Sequence, residues 1–256
     1  TMTQGTDPAD SSEQVAQQER AIPATQAIEQ VLEQGLDLLP RLRESGDEST
    51  RADLLYRMSL GFLELGMHHD ALMHAVEAVD AAQGHGAELL LCRAACAMGC
   101  AQRELGWHDE ATRTLLDTLR LARTLEAPDQ VRDVLLGLSP LSMFASEAFA
   151  QQGDAAAAQV AAAQARSHAE QALEIVRQPG QPPTPGAVLC QLGGCLTACG
   201  NVEAARAVLG DAHSQSIRHG DALLKLRADA GLAEACDLFL EARRVDDDAI
   251  ADDRLD

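Results

Sequence analysis

The chain has 256 residues, and 40 aspartates and glutamates against 20 lysines and arginines give it a formal net charge of −20. A surface this acidic repels phosphate backbones and anionic lipid headgroups, which argues against nucleic acid and membranes as partners. Only 2% of the residues are aromatic, while alanine and leucine dominate the 46% hydrophobic content. This composition favours helices, and no alternating pattern predicts a strand.

The first 50 residues divide into two segments. Residues 1–20 are polar and lack periodicity, which predicts a disordered tail. Residues 21–50 carry apolar side chains at helical spacing, so we expect an N-terminal capping helix that Pro40 should kink or end. Its apolar residues are Ile28, Val31, Leu32, Leu36 and Leu39.

A frame of small residues then recurs four times between residues 51 and 219. Gly66, Gly106, Gly153 and Gly200 are 40, 47 and 47 residues apart, and each lies seven residues after a small residue and five before an alanine. The small residues are Ser59, Gly99, Ser146 and Gly193, and the alanines are Ala71, Ala111, Ala158 and Ala205. Antiparallel helices approach closely only where side chains are small, and a glycine lets the chain reverse. The frame therefore predicts four helix–turn–helix units.

These units resemble the tetratricopeptide repeat (TPR). In the best copy, Leu192-Gly193 is followed by Leu196, then Gly200, then Ala205. The resemblance covers about residues 51–219 and implies an all-α, right-handed α-solenoid of about four TPR-like repeats between N- and C-terminal capping helices. Because each period exceeds the usual ~34 residues, we expect helices longer by about one to three turns. The expected helix pairs are 51–66 and 68–83, 87–106 and 108–125, 129–153 and 154–178, and 187–200 and 201–219.

The C-terminal part follows a proline-rich loop. Residues 179–185 (PGQPPTP) separate the third and fourth repeats. Beyond them and the fourth repeat we expect a C-terminal capping helix over 220–244, and an acidic tail or the start of a linker over 245–256. Such an ending is typical of a fragment of a larger protein. The alternative is a complete solenoid capped by one solvent-facing helix.

The seven cysteines lie in predicted helices and do not form a disulfide-type framework, which suits a reducing compartment and predicts a cytoplasmic protein. Cys92, Cys96 and Cys100 fall on one helical stripe, where two of them could ligate zinc together with a histidine. Their spacing differs from the usual zinc motifs, and cysteine packs well between close helices. We therefore expect packing residues, no metal and no cofactor, with a redox or metal role as the alternative.

No catalytic constellation is visible. The chain has no glycine-rich phosphate loop, no nucleophile elbow and no zinc-protease motif. His68-His69-Asp70 and His108-Asp109-Glu110 follow turn glycines at equivalent repeat positions, where their carboxylates complement the positive end of the next helix. We therefore expect residues 1–256 to have no enzymatic activity.

The TPR resemblance instead implies a concave groove, lined by the first helix of each repeat, that binds a peptide or protein. Tyr56 and Cys96 occupy positions at which some TPR proteins carry polar residues that grip a C-terminal carboxylate, which argues against that mode. Arginines in the groove should attract acidic residues of the partner, and the C-terminal helix could form a homodimer. The expected groove residues are Asp53, Tyr56, Arg57, Leu60, Arg93, Cys96, Cys100, Arg103, Met143, Glu147, Cys190 and Gly194.

The repeats also resemble, in length and in their alanine and leucine content, the sensory segments of bacterial signalling proteins such as diguanylate cyclases. That resemblance implies a regulatory domain in signal transduction. The alternatives are a stand-alone TPR adaptor or chaperone, and the peptide-sensing part of a transcription regulator.

Overall fold

The computed structural model describes residues 8–179 and 183–252, with side chains for 25–179 and 183–238. All the regular structure in these residues is α-helical. The helices are α1 Pro8–Ser45, α2 Glu48–Glu64, α3 His68–Gly84, α4 Glu88–Glu104, α5 His108–Thr124, α6 Pro128–Gln151, α7 Ala155–Arg177, α8 Gly186–Ala198, α9 Val202–His219 and α10 Ala222–Asp252. The expected all-α architecture is confirmed.

The four expected helix pairs are α2 with α3, α4 with α5, α6 with α7, and α8 with α9. Members of each pair pack on one another, and each pair packs on the next, which is the arrangement of a helical-repeat solenoid. Helices α2 to α5 have 17 residues each, whereas α6 has 24 and α7 has 23. The third pair is thus about two turns longer than the first two.

The N-terminal helix differs from the expectation. Residues 8–20, which we expected to be disordered, belong to α1, while residues 1–7 lie outside the described part. The segment is rich in glutamate, glutamine and alanine, which are strong helix formers. Pro40 does not end the helix, which continues to Ser45. Pro40 has no backbone N–H to donate within the helix, but packing against α2 supports α1 on its N-terminal side. Met58 of α2 lies against Gly35, and Leu39 joins the cluster around Leu55.

Turn glycines recur every 20 residues in the first half of the chain. Gly46, Gly66, Gly86 and Gly106 follow successive helices with φ of 72°, 71°, 66° and 80°. A left-handed residue at this position lets the chain leave the helix, and glycine adopts it without strain. Glu126 takes the next position with φ of 50°. The 40-residue helix pair in this region therefore consists of two 20-residue halves, each made of one helix and its turn.

Two leucines are held between pairs of glycines. A Cβ on Gly99 of α4 would lie 2.6 Å from Cγ of Leu115 in α5, and one on Gly137 of α6 would lie 3.1 Å from the same side chain. In the second group, Leu209 of α9 is held between Gly193 of α8 and Gly231 of α10. Both groups have the same sequence spacing, 16 and then 22 residues. The expected burial of Gly99 and Gly193 between helices is confirmed.

Helix α10 packs on α9 and α8 in the way that α6 packs on α5 and α4. Gly231 accordingly takes the role of Gly137. The C-terminal helix is thus built like the first helix of a further repeat. It also runs to Asp252, past the expected end at residue 244, so most of the expected acidic tail is helical backbone, and residues 253–256 lie outside the described part.

The first helices of the pairs form a continuous row. Helix α2 contacts α4, α4 contacts α6, α6 contacts α8, and α8 contacts α10, whereas among the described residues α3, α5, α7 and α9 do not contact one another. Helices that touch line the inside of a curved stack, and splayed helices form its outside. We call the exposed face of α2, α4, α6, α8 and α10 the inner face, and that of α3, α5, α7 and α9 the outer face.

The two ends of this row meet. Helix α1 contacts α10, and Arg227 of α10 forms an ion pair with Glu64 at the end of α2. The stack therefore curves far enough for its first and last repeats to touch along the inner face. Of the helices described, none combines the length and the apolar character that a bilayer crossing requires.

Candidate protein-interaction face

Three charged residues at the same repeat position cross the inner face. They are Asp53 on α2, Arg93 on α4 and Asp133 on α6, spaced 40 residues apart. The charges of all three act on Tyr56, so their side chains lie near the Tyr56 phenol. Equivalent positions on neighbouring helices of a solenoid stand side by side. The result is a row of alternating charge, acidic, basic and acidic, across the first three repeats.

Arg93 is the available charge in this row. The carboxylate of Asp53 pairs with Arg57 on its own helix at 2.8 Å, and that of Asp133 pairs with Arg132 at 2.8 Å. Arg93 is exposed and makes no ion pair with any residue of the described chain. Its guanidinium therefore presents donors that a carboxylate from outside can accept.

Burial changes the ionisation of the groups around Arg93. Desolvation raises the pKa of Asp133, with Arg132 opposing the shift. Desolvation, supported by the nearby Cys96, raises the pKa of Tyr56, so its phenol stays protonated at neutral pH and can donate a hydrogen bond. The centre of the inner face thus combines a free guanidinium with a neutral hydroxyl.

The apolar positions differ in exposure. Leu60 lies one turn beyond Tyr56 on α2 and is 39% exposed, so it offers an apolar contact next to the charged row. Met143 is half-buried and packs against the core, and Glu147, one turn further along α6, is exposed. Leu60 is therefore the more accessible of the two expected apolar contacts.

Cys96, Cys100 and Arg103 follow one another along α4. The two thiols influence one another: Cys100 raises the pKa of Cys96, while Cys96 lowers that of Cys100, where Arg103 adds to the lowering. Arg103 was expected as a free surface cation, but its side chain is only 19% exposed and pairs with Glu104 at 2.5 Å. Its Nη1 atom is buried without a hydrogen-bond partner. Arg103 therefore lies beside the cysteines and is less accessible to a partner than Arg93.

The remaining expected groove residues lie on α8. Cys190 is half-buried and close enough to Arg227 of α10 for that charge to lower its pKa, although desolvation raises it more. Gly194 is exposed, and a Cβ built on it would meet nothing within 4 Å. The structure thus brings Tyr56, Arg93 and Cys96 together, and leaves Cys190 and Gly194 at the far end of the face.

Three inner-face residues were not anticipated from the sequence. Asp133 could have been found, because it lies 40 residues after Arg93 and 80 after Asp53. The ion pair of Glu64 with Arg227 joins residues 163 positions apart, and it depends on the curvature of the whole stack. No local pattern signals that contact.

No group of three or more histidine, cysteine or acidic side chains in the described part of the chain is placed to hold a metal ion. Cys195 and Cys199 lie deeper than Cys96 and Cys100. Cys195 and Cys199 of α8 are buried, and Cys195 donates to the carbonyl of Leu136 at 3.8 Å. Desolvation raises the pKa of Cys195 to about 11, so it remains a thiol.

The chain is similar to solved helical-repeat structures. BtubC (BKLC) from P. vanneervenii is 15% identical with a TM-score of 0.49, over 87% of this chain and 92% of that one. The TPR protein TTC0263 of Thermus thermophilus is 18% identical with a TM-score of 0.41, over 79% and 99%. No family model and no curated protein matches the chain. The repeat architecture rests on the helix contacts described above.

Proposed function

We propose that the chain is a non-catalytic protein-interaction module that holds a peptide or protein segment along its inner face. The observation that carries the proposal is Arg93, an exposed guanidinium without an ion pair in the described chain, at the centre of that face. In a chain with net charge −20, a cation left unpaired in a concave surface favours an acidic ligand.

The chemistry around Arg93 defines the partner. A carboxylate of the partner binds the guanidinium of Arg93, the hydroxyl of Tyr56 donates to a neighbouring acceptor, and an apolar side chain covers Leu60. These three groups lie within about two turns of neighbouring helices, a span of roughly four residues of extended peptide. The preferred ligand is a short segment that combines an acidic and an apolar residue.

A displayed peptide library selected on the purified chain tests the proposal. Selected peptides are then titrated by fluorescence anisotropy against the parent and Arg93→Glu. We expect enrichment of acidic peptides and a loss of about 10-fold or more in affinity for Arg93→Glu, mostly in the association rate, with a strong dependence on salt.

The matched control is Arg120→Glu on the outer face. Arg120 lies on α5, is also exposed, and pairs with Asp117 on its own helix. The charge change is identical, so a general electrostatic effect would weaken binding in both variants equally. Equal affinities for the two variants would place the binding surface away from Arg93.

The finer part of the proposal assigns the module to a bacterial signalling protein, as its cytoplasmic regulatory or sensory segment. Its support is the resemblance of long alanine- and leucine-rich repeats to the sensory parts of diguanylate cyclases. The coding sequence beyond Asp256 tests it. A cyclase domain there would support this assignment, a DNA-binding domain would support the transcription regulator, and a stop codon would favour the stand-alone adaptor.

A further inference from the structure

Two thiols on the inner face of α4 form a pair. Cys96 and Cys100 are one helical turn apart, and both are half-buried. Side chains separated by four residues lie above one another on a helix, with Cβ atoms about 5–6 Å apart. The two sulfur atoms are therefore placed to contact the same third atom.

A half-buried positive charge accompanies the pair. Arg103, one turn after Cys100, gives its Nε and Nη2 hydrogens to Glu104 at 3.0 and 2.5 Å. Its Nη1 atom is buried and has no partner. A buried donor without an acceptor costs free energy, so an added negative charge that accepts from Nη1 would be stabilised here.

The geometry discriminates among the reactions open to two thiols. A disulfide needs Cβ atoms about 3.5–4.5 Å apart, which the helical spacing exceeds. Closing it would distort α4 where Ala97, Gly99 and Ala101 are buried. A structural zinc ion takes four ligands, and no group of three candidate ligands occurs among the described residues. A soft cation that accepts two thiolates fits the pair without moving the helix.

We propose that Cys96 and Cys100 form a two-coordinate thiolate site for Cu(I), with Arg103 balancing its charge. Binding replaces the two thiol protons with one Cu⁺ and releases two H⁺, and the copper keeps its oxidation state. The bis-thiolate complex carries one negative charge, so its sulfur atoms accept a charge-assisted hydrogen bond from the unpaired Nη1 of Arg103.

The chain contains its own comparison. Cys195 and Cys199 of α8 have the same four-residue spacing, but they are only 6% and 7% exposed. The Cys195 thiol already donates to the carbonyl of Leu136. An ion would have to displace that hydrogen bond and enter the packed contact between α6 and α8. Cys92 is also four residues from Cys96, but it is fully buried. Spacing alone therefore predicts three pairs, whereas accessibility leaves one, Cys96 with Cys100.

The reduced protein is titrated with Cu(I) without oxygen, in the presence of bicinchoninate as a coloured competitor. We expect one Cu(I) per chain for the parent. Cys96→Ser and Cys100→Ser should each lower the affinity by at least about 100-fold, the upper end of the loss caused by removing an outer-shell contact. The double variant Cys195→Ser/Cys199→Ser and the single variant Cys190→Ser should retain the parent affinity.

Circular dichroism confirms that each variant is folded, and Cys96→Ala and Cys100→Ala replace any serine variant that is not. Retention of the one Cu(I) by the Cys96 and Cys100 variants would overturn the proposal. So would its loss in the Cys195/Cys199 variant, or a parent protein that fails to compete with bicinchoninate.

Discussion

Gly193→Ala tests the close packing between α8 and α9. The new Cβ would lie 2.5 Å from Cδ2 of Leu209 and nearer still to its Cγ, and contacts below 3.0 Å force a neighbour to move. Leu209 is fully buried and is held on its other side by Gly231 of α10, so it has little room to retreat. Overpacking of this kind costs about 1–3 kcal/mol. Alanine recovers about 1 kcal/mol through its higher helix propensity.

Gly194→Ala is the matched control, since it makes the same change one residue further along α8. Its Cβ would meet nothing within 4 Å, so only the propensity gain of about 1 kcal/mol remains. We expect Gly193→Ala to lower the free energy of unfolding by up to about 2 kcal/mol, and Gly194→Ala to raise it. Urea unfolding followed by circular dichroism measures both. Equal shifts of the same sign would refute the packing argument.

Three further variants or treatments test other parts of the structure. Glu126→Gly should raise the free energy of unfolding by about 0.5–1 kcal/mol in a urea melt, because φ of 50° strains a residue with a side chain, and the glycine's freedom in the unfolded chain offsets part of the gain. Burial, together with Arg123, lowers the pKa of His168 from 6.5. The unfolded chain therefore binds a proton at His168 more readily than the folded chain does, and the free energy of unfolding falls as the pH drops from about 6.5 towards the folded pKa. His168→Gln should reduce this fall. The purified protein should contain no stoichiometric zinc by elemental analysis, and a zinc chelator should leave its Tm unchanged.

The sequence predicted the fold best at positions where only a small residue or a glycine can be accommodated. Gly99 and Gly193 were expected at close helix contacts because only small side chains allow them, and both are buried there. The turn within each helix pair followed from Gly66, Gly106, Gly153 and Gly200, whose left-handed conformation few other residues adopt. Glu126 breaks that rule, so its turn carries no glycine signal.

The inner face was less predictable than the fold. The repeat frame placed Arg57, Arg93 and Arg103 in one groove as cations for an acidic partner, but their surroundings make them different. Arg57 pairs with Asp53, Arg103 turns into the cysteine cluster, and of these three only Arg93 stays exposed without an ion pair in the described chain. Such differences depend on the neighbouring helix, which a pattern along one helix does not contain.

The central claim is that partners bind the inner face. A photoreactive amino acid placed at Leu60 or at Leu116 tests it with a peptide from the library selection. These leucines are 39% and 38% exposed, but Leu60 lies on the inner helix α2 and Leu116 on the outer helix α5. We expect the peptide to cross-link at position 60, and competition by the unlabelled peptide to abolish the product. Cross-linking at position 116 with none at position 60 would contradict the account.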